Sequence, residues 1–135
     1  MCAQQWSEAQ RNTWLDSIET TAGTSPILEI RSGAQPANVA AAATGTLLAS
    51  LTLPSDWMAA ASGGSKAKSG SWSDASADAT GTAGHYLLKT SGGTRVTQGN
   101  ITVTGGGGDL TVDSVSITAT NVFTITGWTW TAPGA

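Results

Sequence analysis

Val122-Phe-Thr-Ile-Thr-Gly-Trp-Thr-Trp-Thr131 is the strongest β signal in the chain. Phe123 and Ile125 share one face of an extended strand, because side chains alternate with a period of two. Trp128 and Trp130 fall one step out of phase with them, and Gly127 stands where the phase changes. A bulge at Gly127 inserts one extra residue and returns all four apolar side chains to one face. Pro133 closes the element. This stretch predicts one long core strand at the end of a β-rich chain.

The same alternation runs upstream, in shorter pieces. Ser116–Ala119 and Asp109–Asp113 read as brief strands, and Gly105–Gly108 reads as a flexible hairpin connection. Arg95–Thr104 is a strand with a bulge expected at Gly99. It pairs with Gly84–Thr90 through the turn Ser91-Gly-Gly-Thr94. Asp74–Ala83 is a link of small residues, and Lys66–Trp72 is a short polar strand. Ser55–Ser65 is a loop carrying Trp57 and Met58. Thr46–Leu53 alternates cleanly and stops at Pro54, which has no amide for a ladder. The Ala-rich stretch 37–44 fits a helical turn or a close-packed loop equally well. Ile27–Arg31 is another short strand.

The first 20 residues differ in kind. Ser7-Glu-Ala-Gln10 fits a capping box, and Trp14, Leu15 and Ile18 follow at helical spacing. A helix is expected over about 7–20, ended by Gly23 and Pro26, with residues 1–6 as an N-terminal arm. The sum is about seven or eight short strands near ten residues apart, the pattern of a β-sandwich or jelly roll. The expected fold is therefore mainly β: a single sandwich or jelly-roll-like domain over 1–135 with a short N-terminal α-helix and a β region over 26–133. No segment repeats at a fixed period.

Composition narrows the functional classes. The chain has 135 residues, enough for one domain that needs neither metal nor disulfide to fold. Charged residues make up 11% and the net charge is −3. So few charges leave solubility to Ser, Thr, Asn and Gln, or to burial in an assembly. Nucleic-acid binding needs clustered Lys and Arg, and the six basic residues are scattered. No apolar run approaches the ~18–20 residues that span a bilayer, and no signal peptide is read at the start. Nucleic acid and membrane are therefore not expected partners. Cys2 is the single cysteine and permits no internal disulfide.

Chemistry-bearing patterns are sparse. His85 is the single histidine, and its place in an alternating strand predicts a solvent-facing or half-buried ring. No Gly-x-Ser-x-Gly elbow accompanies it. One Cys and one His do not make a zinc site. Asp74 with Asp78, and Asp109 with Asp113, are oxygen pairs without the spacing of a calcium loop; turn formation accounts for them. The four glycines lack the Lys and Ser or Thr of a phosphate loop. No catalytic residue, cofactor or metal is expected.

Six tryptophans in a chain of this length need a reason. Trp14 is expected to pack the helix on the sheets, with Trp128 and Trp130 anchoring the core. Trp6, Trp57 and Trp72 stand in terminal or loop contexts, where a large ring is expected to stay outside the core. Tryptophan is enriched in interface hot spots. Trp6, Trp57, Met58 and Trp72 are therefore the candidate contact residues.

Pro26-Ile-Leu-Glu-Ile-Arg-Ser-Gly-Ala-Gln-Pro36, Leu47-Leu-Ala-Ser-Leu51, Ser76-Ala-Asp-Ala-Thr-Gly-Thr-Ala83 and Thr118–Pro133, in this order and spacing, resemble a family of small structural proteins of tailed bacteriophages. The similarity runs from the helix to Pro133. It implies a non-enzymatic virion protein encoded among head genes. By analogy of role the chain resembles capsid decoration, or cement, proteins. The expected partners are the major capsid protein and other copies of the chain, a trimer at a local threefold being the common arrangement. The expected location is the capsid exterior, after assembly in the host cytoplasm. Neck, collar or tail proteins are the alternative, and a carbohydrate-binding module a further one.

Overall fold

The computed structural model describes residues 4–134. The order of elements is α1 (Glu8–Ala22), β1 (Ile27–Ser32), β2 (Leu47–Thr52), β3 (Ser65–Ala67), β4 (Trp72–Asp74), β5 (Gly81–Lys89), β6 (Arg95–Val103), β7 (Leu110–Val112), β8 (Ser116–Ile117), β9 (Phe123–Ile125) and β10 (Thr129–Thr131). The fold is mainly β, with one helix and several sheets that do not close. A six-stranded sheet runs β2-β1-β5-β6-β7, with β8 paired to β5. Two ribbons, β3 with β10 and β4 with β9, form separate two-stranded sheets.

Helix α1 starts as expected. Ser7 is its N-cap, and its hydroxyl accepts the Gln10 amide at 3.2 Å. It runs two residues past the expected end, because Thr21 and Ala22 break nothing and Ala22 fills the core. Gly23, at φ 78, turns the chain out and returns its N–H to the Glu19 carbonyl at 2.9 Å. One side of the helix docks through polar groups. Glu8, Asn12 and Asp16 accept the amides of Gly63, Gly64 and Ala61 at 3.1, 2.9 and 3.0 Å.

The register of the large sheet sorts its side chains. Leu28, Ile30, Ala49, Leu51, Tyr86 and Leu88 lie on one face, in a single apolar cluster with Trp57, Trp72 and Trp128. Four indoles form a closed cycle of contacts there. Ring centroids are 5.9 Å apart for Trp57–Trp72, 5.6 Å for Trp72–Trp128, 4.7 Å for Trp128–Trp130 and 6.1 Å for Trp130–Trp57. Tyr86 adds a fifth ring, 4.7 Å from Trp128. Trp57–Trp72 is tilted and the other four contacts are edge-to-face, a geometry that adds stabilisation beyond the buried area.

The opposite face carries Glu29, Arg31, His85, Lys89 and Gln98. Residues 33–46, which join β1 to β2, lie across it as a strap. Its carbonyls take side-chain donors: Gly33 from His85 Nδ1 (3.0 Å), Pro36 from Gln98 (2.9 Å), Ala40 from Arg95 (2.9 Å) and Gly45 from Arg31 (3.5 Å). The Ala-rich stretch is thus a loop, because small side chains let its backbone come close to the sheet.

Three expectations need correction. Val122–Thr131 is not one bulged strand. It breaks at Thr126-Gly127-Trp128 into β9 and β10, which pair with different partners. The phase change at Gly127 marks a change of sheet. Likewise the β5–β6 register slips between Leu88 and Lys89, at Val96, and not at Gly99. Gly99 instead sits under Tyr86, whose ring would lie 2.7 Å from any Cβ there. Finally, Gly105–Gly108 is no hairpin connection. β7 pairs with β6 in parallel, with Ile101 opposite Leu110 and Val103 opposite Val112.

Parallel neighbours ordinarily need a crossover of about a dozen residues or more. Here residues 104–109 make the return, and each glycine has a reason. Gly105 and Gly107 hold φ of 89 and 80. A Cβ on Gly106 or Gly108 would meet Thr102 side-chain atoms at 2.7 or 2.8 Å. Thr102 Oγ1 accepts the Gly108 amide at 2.9 Å and so holds the return in place.

Candidate functional site

The structure separates the four candidate contact residues. Trp6 alone stays on the surface, 39% exposed. Trp57 and Trp72 are fully buried and Met58 nearly so, which corrects the expectation that they stand outside the core. The reason is a supply of carbonyls. An indole can be buried when its N–H finds an acceptor. Trp57 donates to Gly23 O at 3.0 Å, and Trp72 lies 3.2 and 3.1 Å from Trp57 O and Ser69 O. Both rings face the large sheet as part of the tryptophan cycle.

Trp14 reverses in the other direction. It is 36% exposed and meets Trp6 edge-on with centroids 4.9 Å apart. The Trp6 amide donates to Gly134 O at 2.8 Å, which brings the segment before α1 against the segment after β10. Trp14 lines a groove of about 530 Å³ between α1, β6 and β10. Ile18, Val96, Trp130 and Pro133 give it an apolar lining. Helical spacing places Trp14 beside Ile18, but it cannot tell that no strand covers them.

A second cleft of about 590 Å³ opens beside the C-terminal half of α1, around Asp16, Glu19, Asp56 and Lys66. Lys66 begins a stretch read as a short polar strand, yet its side chain is 2% exposed. Its ammonium is satisfied by Asp16 (2.7 Å), the Ala59 carbonyl (2.9 Å) and Glu19 (3.3 Å). The Lys66 hydrogen bond, followed by the Ala61 amide, holds the Asp16 carboxyl below its ordinary range. On the strap side, burial pushes Glu29 upward, but hydrogen bonds from Lys89 (2.7 Å) and Arg31 (2.9 Å) outweigh it and leave its pKa lowered. Lys66 thereby ties β3 to α1, and Lys89 ties β5 to β1.

His85 is buried, not half-exposed. A carbonyl can only accept, so its Nδ1 carries the proton given to Gly33. Its Nε2 is buried without a hydrogen-bond partner, and no serine or carboxylate reaches the ring among the described residues. The aspartate pairs are used locally. Asp74 accepts the amides of Ser50 and Ser76, each at 3.0 Å, and Asp109 accepts that of Asn100 at 3.1 Å. Among the described residues, no three His, Cys, Asp or Glu side chains gather as a metal site. Cys2, like the rest of residues 1–3 of the N-terminal arm, lies outside the described residues. Compared with known proteins, the chain matches no family model, no curated protein and no solved structure.

Proposed function

We propose that the chain is a structural protein of a tailed-phage virion that acts by binding, most closely in the manner of a capsid decoration protein. The phage setting comes from the sequence resemblance. The observation that carries the binding role is the Trp6–Trp14 pair. The chain buries Trp57, Trp72 and Trp128 in its core, yet leaves these two rings over a third exposed, with Trp14 lining an apolar groove. Exposed aromatic surface on a low-charge protein is what a subunit contact uses. The fold fits this role as a variant sandwich, with the large sheet as one layer and the two ribbons with α1 as the other. The domain is expected to bind the major capsid protein, copies of itself, or both.

Quantitative mass spectrometry of purified virions tests the assignment. A molar ratio comparable with that of the major capsid protein supports decoration. A single ring's worth of copies moves the protein to the neck or tail. Absence from particles sinks the proposal. Trp6→Ala and Trp14→Ala should each weaken binding to empty shells while leaving the fold intact. Trp57→Ala is no test of contact, because that ring is in the core.

A further inference from the structure

Strand β7 ends the large sheet, and among the described residues no strand pairs with its outer edge. Along a strand, successive residues direct their backbone groups to opposite sides. Val112 O accepts from Thr104 N on the β6 side, at 3.0 Å. Just before β7, Asp109 O takes the Trp128 indole N–H at 3.1 Å, while the Asp109 amide donates to Asn100 Oδ1 at 2.8 Å. Thr111 is one step from Val112 within β7, so its amide and carbonyl point away from β6. Thr111 lines a groove of about 570 Å³ that runs from Thr104 and Gly108 of the β6–β7 return to Thr126-Gly127-Trp128-Thr129, the break between β9 and β10. Nothing lies within 4 Å of where a Gly127 side chain would begin, so the space there is open. An unpaired edge beside such a space is a template for another extended chain.

Charge selects the occupant. Asp109 and Asp113 flank Thr111 by two residues on either side and line the same groove. Neither forms an ion pair among the described residues. A second copy pairing antiparallel about Thr111 would set Asp109 against Asp113 at both ends. Like charges directly opposite are destabilising. A partner with cations at those two positions meets opposite charge at both.

We propose that the β7 groove is a docking site for an extended basic segment of a partner protein, which adds to the sheet edge at Thr111 with Lys or Arg beside Asp109 and Asp113. The site is separate from the Trp6–Trp14 groove. A random peptide library selected on the immobilised full chain tests it, followed by amide exchange of the labelled protein with the best peptide. Enriched peptides should carry Lys or Arg two residues to either side of a β-branched residue. They should slow exchange at Thr111 and Asp113 by about tenfold or more. The double variant Asp109→Asn/Asp113→Asn keeps the acceptor to Asn100 and should weaken binding roughly five- to tenfold. Neutral or acidic winners, protection centred elsewhere, or no binder at all would overturn the proposal. So would self-association of the free protein through this edge.

Discussion

Trp128 meets three rings, those of Trp72, Tyr86 and Trp130, and its N–H is spent on Asp109 O. Trp128→Ala removes the ring that joins the tryptophan cycle to the large sheet. The expected loss is about 3–5 kcal/mol in urea denaturation; a loss below about 1 kcal/mol would show that the cycle is not the core's keystone. Tyr86 is the single tyrosine. Burial, then the nearby Asp109 charge, push its pKa up to about 12. Its phenol is therefore still protonated in the folded chain when the unfolded chain has lost that proton. Its contribution is full below about pH 10 and lost as pH rises toward 12, roughly 3 kcal/mol in all. In the folded chain tyrosinate absorbance should be absent near pH 10 and appear only toward pH 12, and Tyr86→Phe should remove this part of the alkaline loss. Glu29 works at the other end. Its pKa is lowered, so its pairs with Lys89 and Arg31 stabilise the fold above the ordinary glutamate range and fail as pH falls below it. Glu29→Gln should flatten the acid limb of a stability profile. Little of this was legible in the sequence. Trp57 sits in a loop by every local sign, and the carbonyl that lets it be buried belongs to Gly23, 34 residues earlier.

At the scale of elements, most strands fall where alternation puts them, since a half-buried strand writes its period into the chain. Pairing was less legible. Gly127 marks the right place for a change, but a bulge and a switch of sheet leave the same phase slip in the sequence. The partners that decide between them, Ser65–Ala67 and Trp72–Asp74, lie about 64 and about 51 residues upstream. The Gly105–Gly108 return misled for a similar reason, because a tight parallel return and a loose hairpin both need glycine. The two can now be told apart by substitution. Gly106→Ala should cost about 1–3 kcal/mol through its clash with Thr102. Gly127→Ala meets open space and should be neutral or slightly stabilising. Equal tolerance at both positions, read from thermal melts, would mean that the parallel return is looser than described.

At the scale of the whole molecule, the large sheet is covered on both faces by unlike means. Apolar rings cover one, and the uncharged strap over residues 33–46 covers the other through borrowed side-chain donors. Composition hinted at the strap only as a surplus of alanine. Removing two of its donors, with Arg95→Ala and Gln98→Ala together, should speed protease cleavage within 37–44 while shifting the global melt little. An unchanged cleavage rate would show that the strap does not depend on them. The pairing of β3 and β4 with β10 and β9 has a consequence for how the chain comes into being. A ribosome delivers the N-terminal residues first, so Trp57 and Trp72 emerge long before residues 123–131 that complete their layer. Until then the large sheet is bare on its apolar side and sticky to chaperones. Nascent chains arrested at Asn121 should therefore bind an apolar dye and remain protease-sensitive, and those extended past Thr131 should lose both properties together.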